Sequence, residues 1–129
     1  MLILTIRTDN PEAEIGLYDA SGKLGYKKWQ AHRELGKTIH ITIKEILIQQ
    51  NFNWQDISGI VFYKGPGSFT GLRIGASVAN AIAYANNIPV SNQNGNNWVE
   101  KGLVAFKSEV TGIAVPEYGS DPHITAPKK

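Results

Sequence analysis

Short apolar runs divided by turn residues fill the first quarter of this chain. Leu2 to Thr8 predicts a first strand and Ile15-Gly16-Leu17-Tyr18 a second, with Asp9-Asn10-Pro11 turning the chain between them. Ala20-Ser21-Gly22-Lys23 marks another tight turn before a strand that runs through Tyr26 and Trp29. Strands joined so closely predict an antiparallel meander. From His32 to Asn51 the pattern is mixed. Ile39, Ile41 and Ile43 alternate as in a strand, whereas Ile39, Ile43, Ile46, Leu47 and Gln50 keep helical spacing. A helix is favoured, because the stretch is long for one strand and Glu34, Lys37, Lys44 and Glu45 suit an exposed helical face.

Gly59-Ile60-Val61-Phe62-Tyr63 then predicts a buried strand, followed by the glycine-rich turn Gly65-Pro66-Gly67-Ser68-Phe69-Thr70. Ser68 or Thr70 can cap the next helix by accepting a hydrogen bond from a free backbone N–H. Within that helix Gly71, Gly75, Ala79 and Ala83 recur every fourth position and leave one face nearly bare, with Ile74, Val78 and Ile82 beside it. Glycine in a helix costs on the order of 1 kcal/mol relative to alanine, so two of them point to a backbone approaching closely there. Ile88-Pro89-Val90 begins a fifth strand, Asn92 to Asn97 reads as a polar loop, and Trp98 to Phe106 as a short helix. The order is β-β-β-α-β-α-β, an α/β domain over residues 1–110, with an extended Pro-, Gly- and Lys-containing tail over 111–129.

Composition narrows the chemistry. The chain has 129 residues, no cysteine and a net charge of +2, with its Lys and Arg scattered. A disulfide framework and a thiolate metal site are excluded, and the charge is too small to argue for direct nucleic-acid binding. No apolar run approaches the ~20 residues of a membrane span and the start lacks a signal peptide, so a cytoplasmic location without membrane contact is expected. The glycine loop lacks the Gly-Lys-Ser/Thr of a Walker A loop and the spacing of the dinucleotide fingerprint. A tight turn feeding a closely packed helix is favoured over a phosphate cradle. His32 and His40 stand eight positions apart, about 12 Å along a helix, too far to share one ion. No nucleophile motif is present. Neither a catalytic residue nor a metal or cofactor is therefore expected. Trp29, Trp54 and Trp98 look like core or edge residues rather than a base-stacking platform.

The string Gly65-Pro66-Gly67-Ser68-Phe69-Thr70-Gly71-Leu72-Arg73-Ile74-Gly75, with the Ala-rich helix after it, resembles the bacterial TsaB family, also called YeaZ. The resemblance implies the ribonuclease H-like half-domain shared with actin, sugar kinases and Hsp70, and a helix beginning near Arg33-Glu34. It implies a non-catalytic subunit that dimerises with TsaD, supporting threonylcarbamoyl transfer to a tRNA adenosine. TsaE is a further candidate partner, a homodimer is the form expected alone, and tRNA is met only through the complex. On that resemblance the partner interface falls on Ile39, Ile43, Gly71, Leu72, Arg73, Gly75, Ala76, Ala79 and Ala83, so a bulky residue at Gly75 would block pairing and spare the fold. Arg73 would meet a carboxylate of this chain or of the partner, or simply lie in solvent.

Departures from the family pattern matter too. Relatives carry Ile-Asp-Thr at the end of the first strand, where this chain has Ile6-Arg7-Thr8. Arginine repels Mg²⁺, which weighs against the alternative of a minimal nucleotide-binding ATPase or phosphotransferase; a stand-alone interaction module is the other alternative. Asp9 is expected to serve the turn. The paired histidines four apart of the catalytic paralogue TsaD are missing at Leu35 and Gly36. Members usually continue for another domain of the same type, so a short form lacking most of that half is expected. Pro116-Glu117-Tyr118 is similar to a Pro-x-Tyr near the family's C-terminus.

Overall fold

A computed structural model describes residues 1–106 and 112–118. Strands β1 (Ile3–Arg7), β2 (Glu12–Asp19) and β3 (Gly22–Gln30) form the antiparallel meander. A 3₁₀ turn (His32–Glu34) leads into α1 (Leu35–Gln49), and a second (Trp54–Asp56) leads into β4 (Gly59–Tyr63). Helix α2 (Phe69–Asn86), β5 (Val90–Gln93) and α3 (Trp98–Ala105) complete the described elements. The five strands lie in the order β3-β2-β1-β4-β5, with β1-β4 and β4-β5 parallel.

The helical choice for 35–49 holds because Leu35, Ile39, Ile43, Ile46 and Leu47 are buried together, while Ile41 is exposed. The apparent strand alternation is therefore incidental. Asn92 and Gln93, read as loop, instead pair with Phe62 and Tyr63. Strand β2 also begins earlier, at Glu12, because β3 offers a partner for Glu12 at Gln30.

Both faces of the central strands are covered, which explains their unbroken apolar runs. Leu4, Ile6, Ile15, Leu17, Ile60 and Phe62 meet α1 and α2 on one face. Ile3, Val61, Tyr63 and Trp98 pack under α3 on the other, and the Tyr63 and Trp98 rings meet edge to face at 5.4 Å. Trp29 and Trp54 are half-buried against the larger core; the Trp29 indole donates to Thr38 Oγ1 at 2.9 Å.

The bare stripe of α2 faces this core. A Cβ added at Gly71 would meet the Thr8 carbonyl oxygen, and one at Gly75 would meet Thr8 Oγ1 and the Phe62 ring. Ala76, Ala79 and Ala83 are buried in the same cluster, as are Ile39 and Ile43 of α1; Leu72 is fully buried too. The expected interface is thus corrected for these positions: β1 and β4 of the same chain make the close approach. Of that set Arg73 alone is exposed.

A leucine at Gly75 must displace Thr8, and overpacking of this kind costs about 3 kcal/mol. Gly75→Leu should lower the urea midpoint markedly, while Ser77→Ala, at an exposed position of the same helix, should leave it within about 0.5 kcal/mol of the wild type.

Candidate functional site

The glycine loop is built against the end of β1. Gly65 has φ +108°, a conformation that favours glycine, and a Cβ there would strike the Glu117 carbonyl and the Leu72 side chain. Gly67 lies against Asp9, and the Ser68 N–H donates to the Asp9 carbonyl at 2.7 Å. Ser68, rather than Thr70, caps α2: its Oγ accepts from the Gly71 N–H at 3.2 Å. Pro66 and Phe69 are exposed at the loop's outer edge.

Arg7 closes off the position where a metal-holding carboxylate was considered. Its Nε donates to Asp9 Oδ1 at 2.8 Å and its terminal nitrogen to Asp9 Oδ2 at 3.3 Å, with Glu14 at 4.0 Å. The guanidinium also lies 4.0 Å from the Tyr63 ring centroid. The hydrogen bond to Asp9, opposed by burial, raises the Arg7 pKa further above its ordinary value. Asp9 therefore neutralises Arg7, and the turn role expected of it passes to Asn10, whose Oδ1 accepts from the Glu12 N–H at 2.9 Å. On the same side of the sheet Tyr26 donates to Glu14 Oε1 at 2.8 Å; burial, then that carboxylate, pushes the phenol pKa well up. Among the described residues no three metal-donor side chains gather. His123 lies outside the described residues.

A groove between α1 and α2 is the feature with an open face. Its central hollow, about 430 Å³, is lined by Gly36, His40, Thr70, Arg73, Ile74 and Ser77. Toward the glycine loop it continues into a hollow of about 360 Å³ beside Pro11, His32, Arg33, Leu35 and Ser68, sharing Thr70 and Ile74. Toward the far end of α2, His40 also borders a hollow of about 280 Å³ with Trp54, Ala81, Ile82 and Ala85. Gly36, His40, Ser77, Ala81 and Ala85 were missed in the sequence reading. On α2 the signal was a second row of short residues, Ser77-Ala81-Ala85, four apart like the first but exposed.

Residues 113–118 are held at the other side of α2. The Asn80 carboxamide accepts from the Ala114 N–H at 2.6 Å and donates to its carbonyl at 3.3 Å. Asn92 does the same across the neighbours, donating to the Ile113 carbonyl at 3.1 Å and accepting from the Val115 N–H at 2.8 Å. The Glu117 N–H donates to the Lys64 carbonyl at 2.6 Å, and the Tyr118 ring lies 4.6 Å from that of Phe69. Four carboxamide–backbone bonds, each worth about 1 kcal/mol net, hold this stretch. The double variant Asn80→Ala/Asn92→Ala should free it: amide exchange at Ala114 and Val115 should rise at least tenfold, with the β1 and β4 amides unchanged.

Among the described residues no helix is long and apolar enough to cross a membrane. A family model described as TsaD, tRNA N6-adenosine threonylcarbamoyltransferase, matches residues 28–94, half of the chain. The chain is 35% identical over 108 residues to the tRNA N6-adenosine threonylcarbamoyltransferase of Nitrosomonas eutropha, an alignment covering 71% of this chain and 32% of that protein. It is 38% identical over 60 residues to the tRNA threonylcarbamoyladenosine biosynthesis protein TsaB of Haemophilus influenzae, covering 46% of this chain and 25% of that one. The chain thus spans a third or less of the length of these relatives. Among solved structures, YeaZ from Pseudomonas aeruginosa superposes with a TM-score of 0.63 at 23% identity, over 73% of this chain and 45% of that one. A second structure, of a protein with similarity to peptidase YeaZ from Pseudomonas aeruginosa, reaches 0.70 at 20% identity, over 84% and 49%. These likenesses give the fold, a ribonuclease H-like α/β half-domain with a mixed sheet. The matched family model and the TsaB and YeaZ likenesses agree, and this chain belongs to the TsaD/TsaB (YeaZ) family.

Proposed function

We propose that this chain is a non-catalytic, TsaB-like subunit in the modification of tRNA adenosine by a threonylcarbamoyl group, and that it acts by docking TsaD through the groove between α1 and α2. The groove itself carries the reading. Its floor is apolar at Leu35, Ile74, Val78 and Ile82, its α2 wall is lined by the short side chains of Ser77, Ala81 and Ala85, and it runs along both helices. Short side chains let a partner helix approach closely, and ridge-into-groove packing needs such a channel. Tyr84, 90% exposed on the same helix, adds an amphipathic ring of the kind enriched at interfaces.

This places the proposed contact on the outer row of α2 and keeps Arg73 within it, while the inner row serves the fold. The accessory role rests on the same reading together with Arg7, whose pairing with Asp9 ties up a carboxylate beside the glycine loop. The names of the two relatives connect both to one tRNA modification, and a complementary subunit is the role that this geometry suits.

Ser77→Trp tests the proposal. The exposed indole fills the groove without entering the core, so thermal stability should stay near wild type. Affinity for TsaD from the same source, measured by calorimetry, should fall at least tenfold. Unchanged affinity would place the contact elsewhere.

A further inference from the structure

Residues 113–118 are held by few contacts, and those contacts run along the segment to the glycine loop. Successive peptide groups face two walls. The N–H and C=O of Ala114 meet Asn80 on α2, while the Ile113 C=O and the Val115 N–H meet Asn92 on β5. Ala114 alone of the six is buried, and it enters the main core. A segment with one buried side chain, clamped by two carboxamides, opens more readily than the strands and helices it touches.

Its far end is built into the glycine loop. The Glu117 N–H donates to the Lys64 carbonyl at 2.6 Å, and the Glu117 carboxylate lies 3.3 Å from Lys64 Nζ. The Glu117 carbonyl fills the space that a Cβ on Gly65 would need. Tyr118 backs Phe69, the first residue of α2, and the Arg73 guanidinium lies over that ring at 5.3 Å. Ser68 and Thr70, beside these anchors, border the loop end of the groove, whose lining includes none of residues 113–118.

We infer that residues 113–118 form a latch on the glycine loop. Docked between α2 and β5, the segment fixes residues 64–69 and the first turn of α2 in one arrangement. Released at Asn80 and Asn92, it leaves both free to move while the sheet stays intact. Asn80 and Asn92 are thus positioning residues that act on the loop through the segment, which is the two-state element between them. The latch sets the loop end of the groove from the other side of α2, a consequence for partner binding that rests on the docking reading above. The latch itself does not rest on it.

Hydrogen exchange on the full-length chain tests the latch at two amides whose bonds do not involve the segment. The Ser68 N–H is bonded to the Asp9 carbonyl, and the Gly71 N–H to Ser68 Oγ. In Asn80→Ala/Asn92→Ala both should exchange at least about fivefold faster than in the wild type, while β1 and β4 amides keep their rates. Wild-type rates at Ser68 and Gly71 in that variant would overturn the latch, whether or not Ala114 and Val115 are released. If the variant instead loses protection throughout the sheet, Glu117→Ala/Tyr118→Ala decides, since it removes the ion pair and the ring contact and spares both clamps. Faster exchange at Ser68 and Gly71 then sustains the latch, and unchanged exchange overturns it. No partner is needed for this readout, so its result is independent of the Ser77→Trp outcome.

Discussion

The closeness of α2 to the end of β1 is the constraint on which the rest of this molecule depends. Gly67 sits on Asp9, Gly71 on the Thr8 carbonyl and Gly75 on the Thr8 side chain, so the helix axis lies as near the strand as a backbone allows. Residues with a Cβ at those three positions would push α2 outward, because they would meet the main chain of Asp9 and Thr8 at Gly67 and Gly71, and the packed Thr8 and Phe62 side chains at Gly75, which have little room to yield. The Ser68 cap, the Ser68 N–H bond to Asp9 and the positive φ of Gly65 then follow, since the loop must rise from β4 and deliver the helix at that height.

Two consequences reach the surface. Because the inner row of α2 is used up by the fold, the outer row is the one left open, and there the residues are again short at Ser77, Ala81 and Ala85. A helix that is small on both sides can be held against a sheet and still leave a channel beside α1. Arg73 continues that outer row near the start of the helix, where a cation is slightly unfavourable against the helix dipole. Its place over Phe69, itself against Tyr118, supplies a local reason for its orientation.

The segment at 113–118 shows how asparagine can stand in for a strand. Each of two carboxamides presents one donor and one acceptor to an extended backbone, as a ladder neighbour would, without adding a sixth strand among the described residues. Ala114 is the buried residue of the stretch, and Lys64 joins both ends of this arrangement, bonding β5 through its N–H to Gln93 and the segment through its carbonyl to Glu117. Chain beyond β5 is thereby tied to the loop that starts α2.

Much of the architecture was legible in the chain because burial on one or both faces leaves a period. The apolar runs of β1 and β4, the turns at 9–11 and 20–23, the helical spacing of α1 and the four-residue recurrence of Gly71, Gly75, Ala79 and Ala83 all survive as elements of the fold. The family was legible for a related reason: Gly65 to Gly75 must satisfy several steric demands at once, and few residue strings can. What the chain by itself left open was direction. A bare helical stripe specifies close approach but not by what, and only the tertiary structure decided that β1 and β4 of the same chain fill it. Nor does local sequence reveal that Arg7 is tied to Asp9, or that Asn80 and Asn92 converge on one segment from 34 and 21 to 23 positions away. The asparagine pairings join residues on different elements, which the fold brings together rather than spacing along the chain; Arg7 and Asp9 are two positions apart, and spacing alone does not say which way the Arg7 side chain turns.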